Sequence, residues 1–289
     1  MSRFIAALPM YDWPELRAEV DAEWADLLDR LRARGIDAPQ ALTRRNADMT
    51  AVPGGIRDAS GTIIAPDPAT LPPDEFDFAV LWRHPSLLLA QTCWGPMETT
   101  GLAAHVRVVG QPDYSAFEGG EGELYRSALV MRNEGPRPGE LADRLPPPLT
   151  PPLEGEGDYR SGFPSPSSGG VRGGGGLPAN IARLRFACND RHSMSGYLAL
   201  ARDLVAAGEI DDEKSYTSFW TELVETGAHR ASVVAVAEGR ADVAAIDCRT
   251  WAYCLAFEPA AKTLAVAGWT APRKGLPFIT SRESPLSSL

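Results

Sequence analysis

The chain has 289 residues, of which 44% are hydrophobic and 23% are charged, a composition typical of a soluble globular protein with one large domain or two lobes. Its formal net charge of −10 excludes a general nucleic-acid binder, because such a protein needs a basic face. No apolar run in the sequence reaches the length of a membrane-spanning helix.

The amino-terminal apolar run is too short for a secretory signal peptide, because Pro9, Asp12 and Glu15 follow it closely. We therefore expect this chain to stay in the cytoplasm. The four cysteines form no C-x-x-C pair, which favours free thiols in a reducing compartment and leaves a disulfide open.

The first elements of the chain alternate between strand and helix. Residues 3–8 predict a buried strand, residues 13–34 a helix with one apolar stripe, and residues 37–42 a second strand. Pro14 suits the first turn of that helix, and Gly35 suits its end. A β-α-β start of this kind predicts a parallel sheet with right-handed crossovers.

The rest of the chain continues the alternation. The apolar runs predict strands at 76–81, 87–90, 105–109, 125–132, 184–188, 241–246 and 263–267. Helices are predicted at 195–207, 233–238 and 250–257, and the aromatic residues of 214–225 also recur at helical spacing. The pattern as a whole predicts the α/β class.

The segment 136–178 differs in kind, since it holds ten of the 25 prolines and ten of the 27 glycines. It has no hydrophobic periodicity, so it has too little apolar surface to offset the entropy of ordering. We interpret it as a disordered insertion into the folded core. A polyproline recognition segment is the alternative interpretation.

Polar turns follow several of the predicted strands. They lie at residues 10–12, 91–93, 189–196 and 247–249, and the turn 226–232 adds the start of a helix. In open α/β sheets such turns converge beyond the carboxyl ends of the strands, where ligands bind. Serine hydroxyls and the free N–H groups of helix starts suit an oxyanion.

Each candidate residue also has an ordinary structural role. Ser193 and Ser195 cap a helix as readily as they bind an anion, and His229 is either a donor to an oxyanion or a surface histidine. Asp247 either accepts a hydrogen bond from a hydroxyl, amino group or protonated oxygen of a ligand or caps the helix that follows. Tyr11 either closes over a ligand or is a half-buried phenol.

The sequence contains no G-x-S-x-G elbow, no H-E-x-x-H, no phosphate loop and no cysteine pair with metal spacing. We therefore predict a protein that is not an enzyme and that carries no cofactor and no metal. A nucleophilic pair of Cys93 with His192 or His229 is the weakest of the hypotheses.

Several stretches, in this order, give the chain a resemblance to the phosphate/phosphonate ABC-transporter substrate-binding proteins. They are Leu8-Pro9-Met10-Tyr11-Asp12, residues 89–96, Tyr125-Arg126-Ser127, residues 189–196, Thr226-Gly227-Ala228-His229 with Ser232, and Ala244-Ala245-Ile246-Asp247. The resemblance implies an α/β, two-lobe, type 2 periplasmic-binding-protein-like fold with a ligand cleft between the lobes.

By the same resemblance, lobe 1 comprises residues 1–128 and 266–289, and lobe 2 comprises residues 129–135 and 179–265. The insertion 136–178 interrupts lobe 2. The strands 125–132 and 264–269 are the two crossings between the lobes. The ligand-binding residues that the resemblance implies are Tyr11, Gln91, Thr92, Ser193, Ser195, Gly196, His229 and Asp247.

The implied function is a solute-binding protein that clamps a small oxyanion, namely phosphate, phosphite or a phosphonate. Its expected partners are that ligand and an ABC transporter permease. We expect a monomer that does not bind nucleic acid; the exported relatives are periplasmic. The alternative is a cytoplasmic enzyme or sensor on the same scaffold that recognises a phosphorylated or pyrimidine-like metabolite.

Overall fold

The computed structural model describes residues 3–133, 177–178 and 181–289. The chain divides into two compact units. Unit 1 comprises residues 1–125, 192–194 and 273–289, and unit 2 comprises residues 126–191 and 195–272. The predicted insertion at 136–178 lies outside the described residues, apart from residues 177 and 178.

The strands of the described residues, in chain order, are β1 (Ile5–Ala7), β2 (Ile56–Arg57), β3 (Ile63–Ala65), β4 (Leu87–Gln91), β5 (Val106–Gly110), β6 (Leu124–Tyr125), β7 (Ser127–Arg132), β8 (Arg185–Cys188), β9 (Glu222–Glu225), β10 (Val243–Asp247), β11 (Leu264–Trp269), β12 (Arg273–Lys274) and β13 (Phe278–Ser281). The α-helices are α1 (Arg17–Ala33), α2 (Phe78–Arg83), α3 (Trp94–Thr99), α4 (Ala199–Ala206), α5 (Tyr216–Phe219), α6 (His229–Ala237) and α7 (Cys248–Phe257). Within the part of the chain that is described, no helix combines the length and the apolarity needed to cross a membrane.

Unit 1 is built on a four-stranded sheet in the order β1-β4-β13-β5. β1 and β4 are parallel, whereas β13 runs antiparallel to both of its neighbours. The buried stripe of α1 packs against one face of this sheet, and α2 with Met97 and Leu102 packs against the other. Leu286 is fully buried in the first of these clusters, so the last residues of the chain contribute to the core of unit 1.

Unit 2 is built on a five-stranded sheet in the order β11-β7-β10-β8-β9. β8, β9 and β10 are parallel, while β7 is antiparallel to β10 and β11. The carboxyl ends of β8 and β10 therefore meet at one edge of the sheet. That edge carries three of the predicted polar turns, which begin after β8, β9 and β10.

Three predicted elements are wrong. Residues 76–81 form no strand, because Oδ1 of Asp77 accepts the N–H of Val80 at 2.9 Å and starts α2. Residues 37–42 also form no strand; Pro39 has no N–H to donate, and the main chain reaches β1 through Thr43, which bonds to the carbonyl of Ala6. The helical spacing of residues 214–225 holds only for α5, after which the chain extends into β9.

The other predicted strands and helices are confirmed, with ends that lie within four residues of those observed. The four cysteines are free and buried. Burial raises the pKa of the thiols of Cys188, Cys248 and Cys254 to about 12, and nearby carboxylates add to this shift. These three thiols are therefore structural and unreactive at neutral pH.

We expect the stability of the protein to fall as the pH drops below 6.5, the ordinary pKa of histidine. Burial lowers the pKa of His84, whose Nε2 lies 2.8 Å from the carbonyl of Thr50 and whose Nδ1 accepts the N–H of Ser86. The unfolded chain then binds a proton that the folded chain does not, which destabilises the fold by up to about 1.4 kcal/mol per pH unit for this side chain.

Urea unfolding of the wild type and of His84→Gln at several values between about pH 5 and about pH 8 measures this effect. The free energy of unfolding of the variant should depend less steeply on pH. Parallel curves for the two proteins would show that His84 does not contribute.

Candidate ligand-binding site

Three of the predicted residues meet in unit 2, where α6 begins beside the end of β10. Ser195 lies in a single π-helical turn, Met194–Leu198, that continues into α4. Its Oγ is 2.9 Å from Nε2 of His229, the first residue of α6. The same Nε2 is 3.7 Å from Oδ2 of Asp247, the last residue of β10. These three side chains form a buried polar cluster, in which only His229 is more than a few per cent exposed, at 13%.

Asp247 has the capping role that the sequence left open, and its second carboxylate oxygen faces the polar cluster. Its Oδ1 accepts the N–H of Thr250 at 2.9 Å and so caps α7. Its Oδ2 faces His229. Because one carboxylate oxygen is hydrogen-bonded to the start of a helix, the orientation of the other oxygen is fixed as well.

Burial lowers the pKa of His229, while the charge of Asp247 acts in the opposite direction. The neutral imidazole is therefore favoured at neutral pH. An anion placed against this ring would favour the protonated form, because opposite charges stabilise each other in a poorly solvated site.

The turn before α6 is fixed by β8. The carbonyl of Cys188 accepts the N–H of Thr226 at 2.9 Å, and the carbonyl of Asn189 accepts the N–H of Gly227 at 3.0 Å. The hydroxyls of Thr226 and Ser232 are 2.7 Å apart. Ala228, the residue before α6, has no side chain that could cap this nine-residue helix, so its own side chain does not compete with an anion for the positive end of the helix.

Hydrogen bonds from the sheet also fix the main chain of Ser195. The Oγ of Ser127 donates to the carbonyl of Ser195 at 2.9 Å, and the N–H of Ser127 donates to Oγ1 of Thr270 at 2.8 Å. Thr270 returns a main-chain bond to the carbonyl of Ser127. Ser127, which the sequence analysis did not select, therefore positions a candidate binding residue.

Gly196 has no room for a side chain. A Cβ on this residue would lie 1.8 Å from Oδ1 of Asn189 and 3.1 Å from Cε1 of His229. The glycine lets the Asn189 side chain lie against the helix start. Asn189 belongs to the polar turn that the sequence identified, although it was not among the candidate binding residues.

Tyr11, Gln91, Thr92 and Ser193 lie in unit 1. The hydroxyl of Tyr11 is 3.4 Å from that of Tyr114, a buried residue that the sequence analysis missed. Gln91 ends β4, and Thr92 follows it. Among the residues that the structure describes, Oε1 of Gln91 and Oγ1 of Thr92 are buried without a hydrogen-bond partner.

Ser193 lies in a loop of three residues, His192 to Met194, that clusters with unit 1 rather than with the rest of the serine-rich turn. The carbonyl of His192 would lie 1.6 Å from a Cβ on Gly95, so the loop packs directly on the main chain of α3. Nδ1 of His192 is 2.9 Å from Oγ1 of Thr99, and Sγ of Cys93 accepts the N–H of Met194 at 3.2 Å. Cys93 and His192 therefore each have a structural role in this loop.

The arginines that flank the polar turns pair with other groups. Arg191 contacts Glu225 at 3.2 Å on the surface, and Nε of Arg249 donates to the hydroxyl of Tyr253. The contacts around Ser195, His229 and Asp247 therefore join neutral donors, one imidazole and the carboxylate of Asp247. Such a site binds an anion through dipoles rather than through a fixed cation.

A surface groove of about 420 Å³ lies beside α6 in unit 2 and is lined by Ala228, Arg230, Ala231, Val234, Arg240 and Glu258. None of the eight predicted binding residues lines it. Arg230 is held in place by Glu258 at 2.9 Å and by the carbonyl of Phe257. Arg230 is therefore paired within the protein rather than available to an anion in the groove. The polar cluster remains the candidate site.

A protein-family model described as ABC transporter, phosphonate, periplasmic substrate-binding protein matches residues 112–285, which include Ser193, Ser195, His229 and Asp247. The chain belongs to this family. Members of the phosphonate-binding family are periplasmic substrate-binding proteins that work with ABC transporters, and they are not enzymes. The family resemblance predicted from the sequence is therefore confirmed.

The chain is also similar to solved structures of binding proteins. The chain is similar to the binding protein component of an ABC phosphonate transporter from Pseudomonas aeruginosa, with 16% identity, 98% of this chain and 70% of that chain covered, and a TM-score of 0.53. PhnD1 from Prochlorococcus marinus, solved in complex with methylphosphonate, matches at 16% identity over 70% of this chain and 59% of that chain, with a TM-score of 0.43. A comparison with curated proteins finds no match. The first of these structures supports the predicted α/β fold of the two-lobe periplasmic binding proteins.

Proposed function

We propose that this chain is a solute-binding protein that holds a small phosphorus oxyanion, namely phosphate, phosphite or a phosphonate, for an ABC transporter. One observation carries the proposal. The hydroxyl of Ser195 and the imidazole of His229 lie 2.9 Å apart at the first turns of two helices. Helix amino ends attract anions through their N–H groups and their dipole, and here two of them meet at one hydrogen bond.

The chemistry of the cluster favours a phosphorus oxyanion over an anion that carries no proton. Ser195 and His229 can donate to oxygen atoms of the ligand, whereas the Asp247 carboxylate can only accept. A singly protonated phosphate or phosphonate offers anionic oxygens to the donors and one O–H to the acceptor. Sulfate has no proton at neutral pH and would meet Asp247 with repulsion.

The same geometry favours binding without turnover. In a hydrolytic triad the serine and the aspartate contact opposite nitrogens of the histidine ring. Here Ser195 and Asp247 both face Nε2, at 2.9 and 3.7 Å. An aspartate on that side does not orient the ring to withdraw the serine proton, so we infer that Ser195 is a ligand donor rather than a nucleophile.

We expect Ser195→Ala and His229→Ala each to weaken phosphonate binding by about tenfold or more, because each removes one hydrogen bond to a charged ligand, worth about 1.5–3 kcal/mol. Isothermal titration of methylphosphonate, phosphite, phosphate and sulfate measures the effect. Ser218→Ala is the matched control, because its Oγ is exposed and donates to the carbonyl of Ser215. Unchanged affinity in both site variants would overturn the assignment.

The roles of Tyr11, Gln91, Thr92 and Ser193 in ligand binding stay predictions. The buried, unpartnered Oγ1 of Thr92 supports one of them, since an unsatisfied hydroxyl costs about 1–3 kcal/mol unless a ligand or water bonds to it. Thr92→Val in the same titration tests it. We also infer a monomer that does not bind nucleic acid, which the net charge of −10 supports.

A further inference from the structure

Asn189 is a polar residue beside the candidate site, and it is not one of the residues that we assign to oxyanion binding. It follows β8 directly, and its carbonyl fixes the turn before α6 by accepting the N–H of Gly227. Its side chain occupies the space that a Cβ on Gly196 would need. Such a Cβ would lie 1.8 Å from Oδ1 of Asn189 and 3.1 Å from Cε1 of His229. The amide is therefore adjacent to the residues that we assign to the oxyanion.

The Oδ1 of Asn189 is buried and has no hydrogen-bond partner among the described residues. A buried acceptor that is left unsatisfied destabilises a protein by about 1–3 kcal/mol. The neighbouring Oγ of Ser195, Nε2 of His229 and both carboxylate oxygens of Asp247 contact one another or the main chain. The unused acceptor thus lies within the cluster that is assigned to the ligand.

We propose that Asn189 determines specificity, by accepting through Oδ1 a hydrogen bond from a donor that the bound phosphorus compound carries. This inference rests on the proposed function. Asn189 and Asp247 together then make two acceptors beside two donors, Ser195 and His229. The substrate class is a phosphorus oxyanion that bears an O–H or N–H group, such as a singly protonated phosphonate or an aminoalkylphosphonate.

The alternative geometry of the amide gives a different result. If the side chain presents Nδ2 to the ligand, Asn189 donates to an anionic oxygen and a carboxylate at this position repels the ligand. If it presents Oδ1, a carboxylate is an equal or better acceptor. The Asn189→Asp variant separates these two cases, and Asn189→Leu removes the amide at similar volume.

The experiment titrates the wild type, Asn189→Leu and Asn189→Asp with methylphosphonate at about pH 6, where it retains an O–H, and at about pH 9, where it does not. 2-Aminoethylphosphonate at about pH 7 supplies an N–H donor. Comparing variant with wild type at the same pH cancels other titrations. Asn133→Leu, an exposed asparagine at the end of β7, is the matched control.

We expect Asn189→Leu to weaken binding of the donor-bearing ligands about tenfold, the value of one hydrogen bond, and to leave the fully ionised methylphosphonate nearly unchanged. Asn189→Asp should retain or improve binding of the aminoalkyl ligand. Equal loss for all ligands in Asn189→Leu, or a greater loss in Asn189→Asp than in Asn189→Leu, overturns the acceptor role. A wild type that binds no phosphorus oxyanion overturns the proposed function itself.

Discussion

Gly196→Ala is expected to weaken oxyanion binding about 100-fold while the protein stays folded, which corresponds to the loss of about two hydrogen bonds to a charged ligand. The methyl group would lie 1.8 Å from Oδ1 of Asn189 and 3.1 Å from Cε1 of His229. The Asn189 side chain must then move, and the His229 ring must shift by a few tenths of an ångström. The geometry that aligns the donors and the acceptor is then lost.

The stability of this variant should change little. Residue 196 lies in a helical turn, and alanine is favoured over glycine in a helix by up to about 1 kcal/mol, which offsets part of the cost of moving a short side chain. Affinity is measured by titration with methylphosphonate and stability by urea unfolding. A large loss of affinity with a small loss of stability is the expected combination.

Gly208→Ala is the matched control for Gly196→Ala. Gly208 follows the other end of the same helix with a φ of +75°, and nothing lies within 4 Å of a Cβ placed there. Alanine at this position costs about 1 kcal/mol of stability through backbone strain and leaves the binding residues in place. If Gly196→Ala binds as tightly as Gly208→Ala, the polar cluster is not the ligand site.

The fold class could be predicted from the sequence because strand and helix patterns alternate along most of the chain. The incorrect predictions fall on short apolar runs that fit a strand and a helix equally well. The run from Phe76 to Leu81 became α2 once Asp77 capped it. In residues 214–225 the helical spacing of apolar residues continues through Leu223. That residue nevertheless belongs to β9, because β9 forms main-chain hydrogen bonds with β8, and a local sequence pattern does not predict such bonds.

The candidate site was predictable to the extent that its residues adjoin recognisable elements. Ser195, His229 and Asp247 each lie at the first or last turn of an element, and the structure brings them together in unit 2. Asn189 and Ser127 could not be selected in this way, because their roles depend on contacts with Gly196 and with the carbonyl of Ser195. Spacing along the chain carries no information about such contacts.

Asp242→Ala is expected to destabilise unit 2 by about 3–5 kcal/mol, the cost of breaking a buried ion pair by removing one partner. The carboxylate of Asp242 is fully buried and accepts the N–H, Nε and Nη2 of Arg185 at 2.8, 3.1 and 2.9 Å. Nη2 of Arg132 lies 3.6 Å away. The variant leaves two guanidinium groups, with side chains 13% and 15% exposed, without this counter-charge.

This ion cluster joins the starts of β8 and β10 to the end of β7, whereas the candidate ligand site lies at the opposite end of β10. The length of the strand separates the ion cluster from the ligand site by about 13–16 Å, so the affinity of the folded protein for phosphonate should not change. The loss of the ion pair should lower the melting temperature by about 10 °C. Glu238→Gln is the control, because its pair with Arg240 is more than half exposed and contributes little. A loss of stability no greater than that of Glu238→Gln would mean that solvent or other groups compensate the two arginines.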